Sequence, residues 1–317
     1  MENQSKFFQC PACGACNIAD EWIAYCIENT KKILWCENCG FGWQHPLPSP
    51  KEISDYYENY PVYNIHGANE KEDSCRKRIR RIDNLCPKRG RLLDIGSGLG
   101  YFLKIAKEDG WDVTGIEPQV NAAAFCRESL KIDVYTGYIK DIKIDQASFD
   151  VVTLWDVWEH VHDPLKFLEN CISLIAPEGL LCISIPNASG LPAKLFKGNW
   201  RYVMKTHLNY FSLDYVKRTM DDFSIIIERM DHTIKIQSLL QGFSAWLPLK
   251  IDTESIIRLG RKGSIEEGRP EQKKSLAYNS GLSDYLNFFR RLVLKVNLMR
   301  LPFSSGDLMD IYCKKKS

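Results

Sequence analysis

Long apolar runs are missing from this 317-residue chain. No uncharged stretch reaches the roughly 18–20 residues that a membrane-spanning helix needs. The longest such stretch, Gly179 to Ala193, is broken by prolines. No basic n-region followed by an apolar segment opens the sequence, so no secretory leader is expected. Neither charge sign dominates: 42 Lys and Arg face 40 Asp and Glu. A net charge of +2 supplies no global basic field for nucleic acid. Internal repeats and low-complexity tracts are lacking too. With 44% hydrophobic residues, a cytoplasmic globular protein with a sizeable core is expected.

Cysteine is present and unevenly placed, six of the twelve falling within the first 39 residues. In a reducing compartment such clustering favours metal over disulfides. Cys10-Pro11-Ala12-Cys13-Gly14 and Cys36-Glu37-Asn38-Cys39-Gly40 are paired CxxCG knuckles with 22 residues between Cys13 and Cys36. Four thiolates in this pattern suit a closed, tetrahedral, structural zinc site made by Cys10, Cys13, Cys36 and Cys39. An overlapping Cys13-Gly14-Ala15-Cys16 leaves a shifted register open, in which Cys16 replaces a ligand. Cys16 and Cys26 otherwise read as small buried hydrophobes.

Three regions follow: a zinc ribbon over 1–48, a helical linker or lid over 49–88, and an α/β domain over 89–317. From Gly90 onward, short apolar runs alternate with amphipathic segments, the pattern of a parallel sheet with crossover helices. Strands are expected at Arg91–Ile95, Asp112–Ile116, Asp133–Thr136, Phe149–Leu154, Leu180–Ile185 and Ser224–Met230. Helices are expected at Tyr101–Asp109, Val120–Leu130, Pro164–Ile175 and Leu213–Met220, the last capped by Ser212. Gly179 is read as the point where a helix ends and a strand begins. A last strand, Leu308–Cys313, is expected to pair with Ser224–Met230 across a helical insertion at about 232–306. Within the insertion, 261–274 reads as a polar loop. Residues 285–296 read as a helix packing its apolar side on the domain, with membrane-surface contact the less favoured alternative.

Leu92-Leu93-Asp94-Ile95-Gly96-Ser97-Gly98-Leu99-Gly100 is a strand running into a tight glycine turn and then a helix. Glycines there let the backbone approach a ligand, and the helix start offers free N–H groups. The next strand ends in Glu117, placed to accept hydrogen bonds from ribose hydroxyls. The spacing is GxGxG with an acid two residues before the first glycine. Further on come Ser148-Phe149-Asp150-Val151-Val152, Asp156-Val157-Trp158-Glu159-His160-Val161-His162-Asp163-Pro164 and Leu174 to Leu181.

In this order the segments resemble class I S-adenosylmethionine (SAM) methyltransferases. The resemblance implies a Rossmann-like, seven-stranded, mostly parallel sheet with helices on both faces. It also implies SAM as cofactor, held by Asp94, Gly96, Ser97, Gly98, Gly100, Glu117, Pro118, Ile139 and Asp156. Many members carry an acid after the third strand that meets the adenine amino group; here the stretch is Gly137-Tyr138-Ile139-Lys140-Asp141. The backbone N–H of Ile139 and the side chain of Asp141 are the expected substitutes.

A methyl acceptor with a hydroxyl or an acidic carbon needs a base, and histidine suits neutral pH. His160, beside Glu159 after the fourth strand, and His207, in Lys205-Thr206-His207-Leu208-Asn209-Tyr210-Phe211-Ser212, both fall where the methyl group would sit. The other four histidines read as structural. With the CxxCG head, Pro46-Leu47-Pro48 and the tyrosines Tyr56, Tyr57, Tyr60 and Tyr63, the chain resembles the zinc-bearing branch that includes deoxysugar C-methyltransferases. That likeness implies His207 as base, His160 with Glu159 as a second acid/base, and Tyr56, Tyr57 or Tyr60 as oxyanion donor. Thr206 stands where the sugar enzymes often have Glu, which keeps O-methylation of a sugar or other small metabolite close behind. The expected partner is a small, glycosidic substrate; nucleic acid is disfavoured. Two other classes stay open: an RNA methyltransferase using the zinc head and Arg76–Arg81, and a non-catalytic SAM-binding protein.

Overall fold

A computed structural model describes residues 9–23, 31–59, 68–234, 238 and 306–316. The expected insertion at 232–306, with its loop at 261–274 and helix at 285–296, lies almost wholly outside them, as do Tyr25, Cys26, Tyr60, Tyr63 and His66. In chain order the elements begin with β1 (Ile18–Ile23), β2 (Lys32–Cys36), β3 (Phe41–His45), α1 (Pro50–Asn59) and α2 (Ala68–Leu85). They continue with β4 (Arg91–Ile95), α3 (Tyr101–Glu108), β5 (Asp112–Glu117), α4 (Val120–Glu128), β6 (Asp133–Thr136) and β7 (Phe149–Trp155). Then follow α5 (Pro164–Leu174), β8 (Ile175–Pro186), α6 (Leu191–Phe196), β9 (Asn209–Phe211), α7 (Leu213–Asp222), β10 (Ile225–Thr233) and β11 (Leu308–Lys315).

The large sheet has seven strands in the order β10-β11-β8-β7-β4-β5-β6. Strands β4 to β8 are mutually parallel, and β11 runs antiparallel between β8 and β10. Alternation of side chains splits each strand between two cores. Leu92, Val151 and Leu180 face one side, with Phe102 and Leu103 of α3 and Ile82 of α2. Leu93, Val152 and Leu181 face the other, with Leu168 of α5 and Val216 of α7. Both faces are therefore covered, as nearly continuous apolar parallel strands require.

Local chemistry sets the helix starts. Asp163 caps α5, accepting the N–H of Lys166 at 3.0 Å, with Pro164 in the first turn where no partner is lost. Ser212 accepts the N–H of Tyr215 at 3.1 Å and caps α7. The reading of Gly179 as a helix end is corrected. Helix α5 stops at Leu174, β8 starts at once with Ile175, and Gly179 lies inside that strand. A Cβ there would stand 2.9 Å from the carbonyl of Asp150, so close backbone approach, and no helix cap, selects glycine.

The second sheet has the order β1-β2-β3-β9. Three of its strands come from the cysteine-rich head, and the fourth is the three-residue β9 from far along the chain. Phe41, Gly42 and Trp43 pair with Phe211, Tyr210 and Asn209. One face of this sheet joins the main core through Leu34, Phe41 and Trp43. The other packs Trp22, Ile33, Trp35 and Tyr210 on Trp200 and Val203.

Candidate active site

Strand order reverses between β4 and β7, because the chain leaves β4 toward β5 on one side and returns to β7 on the other. Loops leaving those carboxyl ends diverge and open a crevice, the usual ligand position in such sheets. The glycine turn forms one wall. Gly96 and Ser97 donate their N–H groups to the Ile116 carbonyl at 2.8 and 3.1 Å. Gly96 has φ +77°, and a Cβ on it would lie 2.5 Å from Val157 Cγ2, so both conformation and space demand glycine. Gly98 differs: its φ is +53°, yet a Cβ would meet nothing within 4 Å. Gly100 is the N-cap of α3.

Glu117 closes the loop. Its two oxygens accept the N–H groups of Gly98 and Gln119 at 2.7 and 2.9 Å. Burial pushes its carboxyl above the ordinary value. Asp94 is fully buried and accepts from the Thr153 hydroxyl at 2.6 Å. Burial, its largest influence, lifts Asp94 to about 7, against the Thr153 bond and the Arg78 charge. Ser97 Oγ is buried and has no hydrogen-bond partner. Pro118 follows β5 and Ile139 follows β6, neighbouring strands stitched by Gly137 N–H to the Glu117 carbonyl. Ile139 and Asp141 sit in a 3-10 turn, Asp141 exposed.

Asp156 ends β7 in a left-handed conformation with φ +59°. It accepts from Ser184 Oγ at 3.3 Å. That hydroxyl in turn accepts from Arg78, an α2 residue the sequence reading did not single out for the site. The Arg78 guanidinium also pairs with Asp310 at 3.2 Å and lies 4.2 Å from the Trp155 ring centre. Nothing in the local pattern of a charged helix marks one arginine as buried.

The acid/base groups meet on the other side of the β7 end. Glu159 and His160 occupy a 3-10 turn, and His207 arrives from the segment before β9. The two imidazole rings stand perpendicular with centroids 4.6 Å apart. His160 Nδ1 is 2.9 Å from the Thr206 carbonyl and 3.0 Å from the Tyr57 hydroxyl. A carbonyl only accepts, so Nδ1 carries the proton and Nε2 keeps its lone pair. Burial drives His160 down to about 4 and His207 well below the usual histidine value, so both are neutral at pH 7. Burial, with the Asp156 charge second, lifts Glu159 well above the carboxylate range. Its Oε1 stands 4.0 Å from His160 Nε2.

Of the three tyrosines expected here, Tyr57 reaches His160 and Tyr56 stacks edge-on against Tyr57 at 5.9 Å. Tyr60 lies outside the described residues. Gln119, unremarked in the sequence, donates to the Tyr57 carbonyl at 2.9 Å and ties α1 to the cofactor side. One ligand atom from each of Glu159, His160 and His207 falls within 4.8 Å of the others, close enough for a divalent ion. His162, read as structural, holds the Pro48 carbonyl at 2.8 Å.

In the head, the sulfurs of Cys10, Cys13, Cys36 and Cys39 all lie within 4.8 Å of one another. Cys10–Cys39 and Cys13–Cys36 measure 3.7 and 3.6 Å. Sulfurs about 2.3 Å from a tetrahedral centre are about 3.8 Å apart, so the set fits zinc. Gly14 and Gly40, at φ +74° and +72°, turn each knuckle. Cys16 is exposed and is not part of that cluster.

Residues 68–223 match a family model described as a methyltransferase domain. Among curated proteins, a ubiquinone biosynthesis O-methyltransferase of Actinobacillus pleuropneumoniae is 34% identical over 125 residues, covering 36% of this chain and 53% of that protein. A ubiquinone biosynthesis O-methyltransferase of Rhodopseudomonas palustris is 30% identical over 141 residues, covering 43% and 55%. The chain thus spans about half the length of the curated relatives it matches. Among solved structures, phosphoethanolamine N-methyltransferase 2 of Haemonchus contortus, in complex with S-adenosyl-L-methionine, superposes with a TM-score of 0.52 at 15% identity, over 87% of this chain and 62% of that one. At that identity the likeness shows the Rossmann-like methyltransferase fold.

Proposed function

With residues 68–223 carrying a methyltransferase domain, we propose that the protein transfers the methyl group of SAM to an oxygen of a small-molecule acceptor, with His207 as the base. One observation carries the reading: a neutral, buried imidazole with an unpartnered Nδ1 stands against His160, which follows the carboxyl end of β7. When bound, SAM supplies an electrophilic methyl on a sulfonium centre. Glu117 holds the ribose, the turn at Ser97 and Gly98 takes the cofactor's amino-acid portion, and Asp94 faces its positive charge. Pro118 and Ile139 border the adenine. Asp156 and Arg78 bound the crevice at the β7 and β8 ends.

His207 Nδ1 accepts the acceptor's proton. Tyr57, held against His160, is the donor to a developing oxyanion, and buried Glu159 stands nearby. The four-cysteine cluster holds a structural zinc that orders the head. The acceptor in this reading is oxygenated and uncharged, and the relatives' names favour O- over C-methylation. The glycosidic acceptor rests on motif order alone, since no sugar enzyme is among the relatives described. Of the basic stretch behind the RNA alternative, Arg76, Arg78 and Arg81 are engaged by Glu72, Asp310 and Asp231.

The test is labelled-methyl transfer from SAM into catechols and keto-sugar nucleotides, with wild type and His207→Ala compared. Transfer into a catechol that the variant loses by about 10²–10⁴-fold, the usual worth of a general base, supports the assignment. Equal turnover by His207→Ala removes His207 from the base role.

A further inference from the structure

Two imidazoles and a carboxylate converge beyond the end of β7, carried by two segments far apart in the chain. Glu159 and His160 are consecutive in the 3-10 turn that follows β7, and His207 comes from the segment before β9. Hydrogen bonds stitch the two segments together. Leu208 donates its N–H to the Glu159 carbonyl at 2.8 Å, and the Asn209 side chain donates to the Val161 carbonyl at 2.6 Å. Strand β9 is in turn fastened to β3, so His207 is held by the second sheet and does not hang on a free loop.

The proton on each ring is already placed. His160 gives its Nδ1 proton to the Thr206 carbonyl at 2.9 Å, which leaves the lone pair on Nε2. His207 gives a ring proton to the Tyr202 backbone carbonyl. Its Nδ1 has no partner, so Nε2 is that donor and Nδ1 keeps the lone pair. An imidazole that donates one N–H to a backbone carbonyl and offers its other nitrogen has the form of a metal-binding histidine. Glu159 supplies the third atom. It is 1% exposed, its Oε2 has no partner, and its Oε1 faces His160 Nε2 at 4.0 Å. Buried polar atoms without partners are few in native proteins, and two of them here, Glu159 Oε2 and His207 Nδ1, belong to residues of one cluster.

We propose that Glu159, His160 and His207 form a divalent transition-metal site of the zinc class, separate from the four-cysteine cluster of the head. One ligand atom from each lies within 4.8 Å of the others. Nitrogen and oxygen donors about 2.0–2.2 Å from an ion stand about 3.3–3.6 Å apart at tetrahedral angles. The set therefore closes on an ion by a movement of roughly 1 Å, which side-chain rotation supplies. Two imidazoles select zinc and its neighbours over magnesium and calcium, which take oxygen ligands. Entry is from the His160 side, where the side chain is 21% exposed while Glu159 and His207 are buried. Three protein ligands leave a coordination position open to water or another oxygen. The site goes beyond the methyl-transfer reading and shares one atom with it. His207 Nδ1 cannot hold an ion and accept a proton at once, so an occupied site leaves that base without its lone pair.

The test starts from protein that carries zinc in the head and has been dialysed against metal-free buffer. Zinc chloride is titrated into it by calorimetry, wild type beside Glu159→Gln and His207→Gln, with a melting temperature recorded for each. Wild type should take up one further equivalent. Each variant should bind it about 100-fold more weakly or not at all, since even an outer-shell partner of a metal ligand is worth about 10–100-fold. Magnesium chloride at the same concentration should give no uptake. Cobalt(II) in place of the added zinc needs no variant: nitrogen and oxygen ligands give weak visible bands without a sulfur-to-cobalt charge-transfer band. The proposal is overturned by absence of a further equivalent in wild type, by undiminished uptake in either folded variant, by magnesium uptake equal to that of zinc, or by a thiolate charge-transfer band. SAM uptake, measured separately, judges the methyl-transfer reading, and its absence leaves the metal titration to decide this site.

Discussion

Cofactor binding should release a proton, and Asp94 is the group that releases it. In the free protein this carboxyl is lifted from an ordinary 3.8 to about 7 by burial. The charged groups around it are Arg78, which opposes the shift, and Glu117, which adds to it. A sulfonium and an ammonium placed against the glycine turn favour the carboxylate and pull the value back toward its ordinary range. Asp94 is then about half protonated at pH 7 and about nine-tenths protonated at pH 6 before binding, and largely ionised after it. Uptake of SAM should therefore release roughly 0.5 proton at pH 7 and roughly 0.8–0.9 at pH 6. Below pH 7 the cofactor's own amino group stays protonated and does not confound the count. Calorimetric titrations in buffers of different ionisation enthalpy read the number directly. In Asp94→Asn the release should vanish. The same shift has a stability consequence: a raised folded-state value contributes stability that is present below about pH 4 and lost as pH rises through 7. The Asn variant should thus gain up to about 4 kcal/mol on wild type between pH 4 and pH 8. Heat independent of buffer, or proton release unchanged in Asp94→Asn, would refute the reasoning.

The two inner glycines should part company. Gly96→Ala drives a methyl into Val157 and should abolish folding or lower the melting temperature steeply, whereas Gly98→Ala costs only the left-handed conformation, about 1–2 kcal/mol, and mainly weakens SAM binding in calorimetry. Cys39→Ser should lose zinc by elemental analysis and melt earlier, while Cys16→Ser keeps one zinc per chain; equal metal content in both would break the four-cysteine assignment. Tyr57→Phe leaves the Thr206 link to His160 intact and should slow transfer about tenfold or more with SAM affinity unchanged, so an unaltered rate would dismiss the hydroxyl from the chemistry.

The large sheet was legible because its strands are periodic and separated by turn residues, and even the pairing of β10 with the distant β11 was readable from complementary apolar runs. The knuckle cysteines and the glycine turn were legible because their chemistry tolerates few residue types. Other features had no such signal. Strand β9 is three residues long, too short for alternation to register, so its union with the head was invisible. Gln119 and Arg78 are polar residues on ordinary helical and turn segments, and only tertiary packing turns them inward. Glu178, at φ +63°, lies inside β8 where its register with β7 shifts, and that irregularity hid the strand's true start at Ile175.

Strand β11 is the last of the sheet to be synthesised, yet its place is between β8 and β10. About 75 residues separate it from β10, a span whose closure costs little more entropy than one half as long. While the ribosome makes that stretch, β8 offers an open, apolar edge, and Arg78 waits for the Asp310 that will neutralise it. The nascent chain is thereby exposed to edge-to-edge association until Leu308 to Lys315 emerge. Interrupting translation anywhere in that window should yield a trapped, chaperone-bound intermediate in place of a nearly finished enzyme.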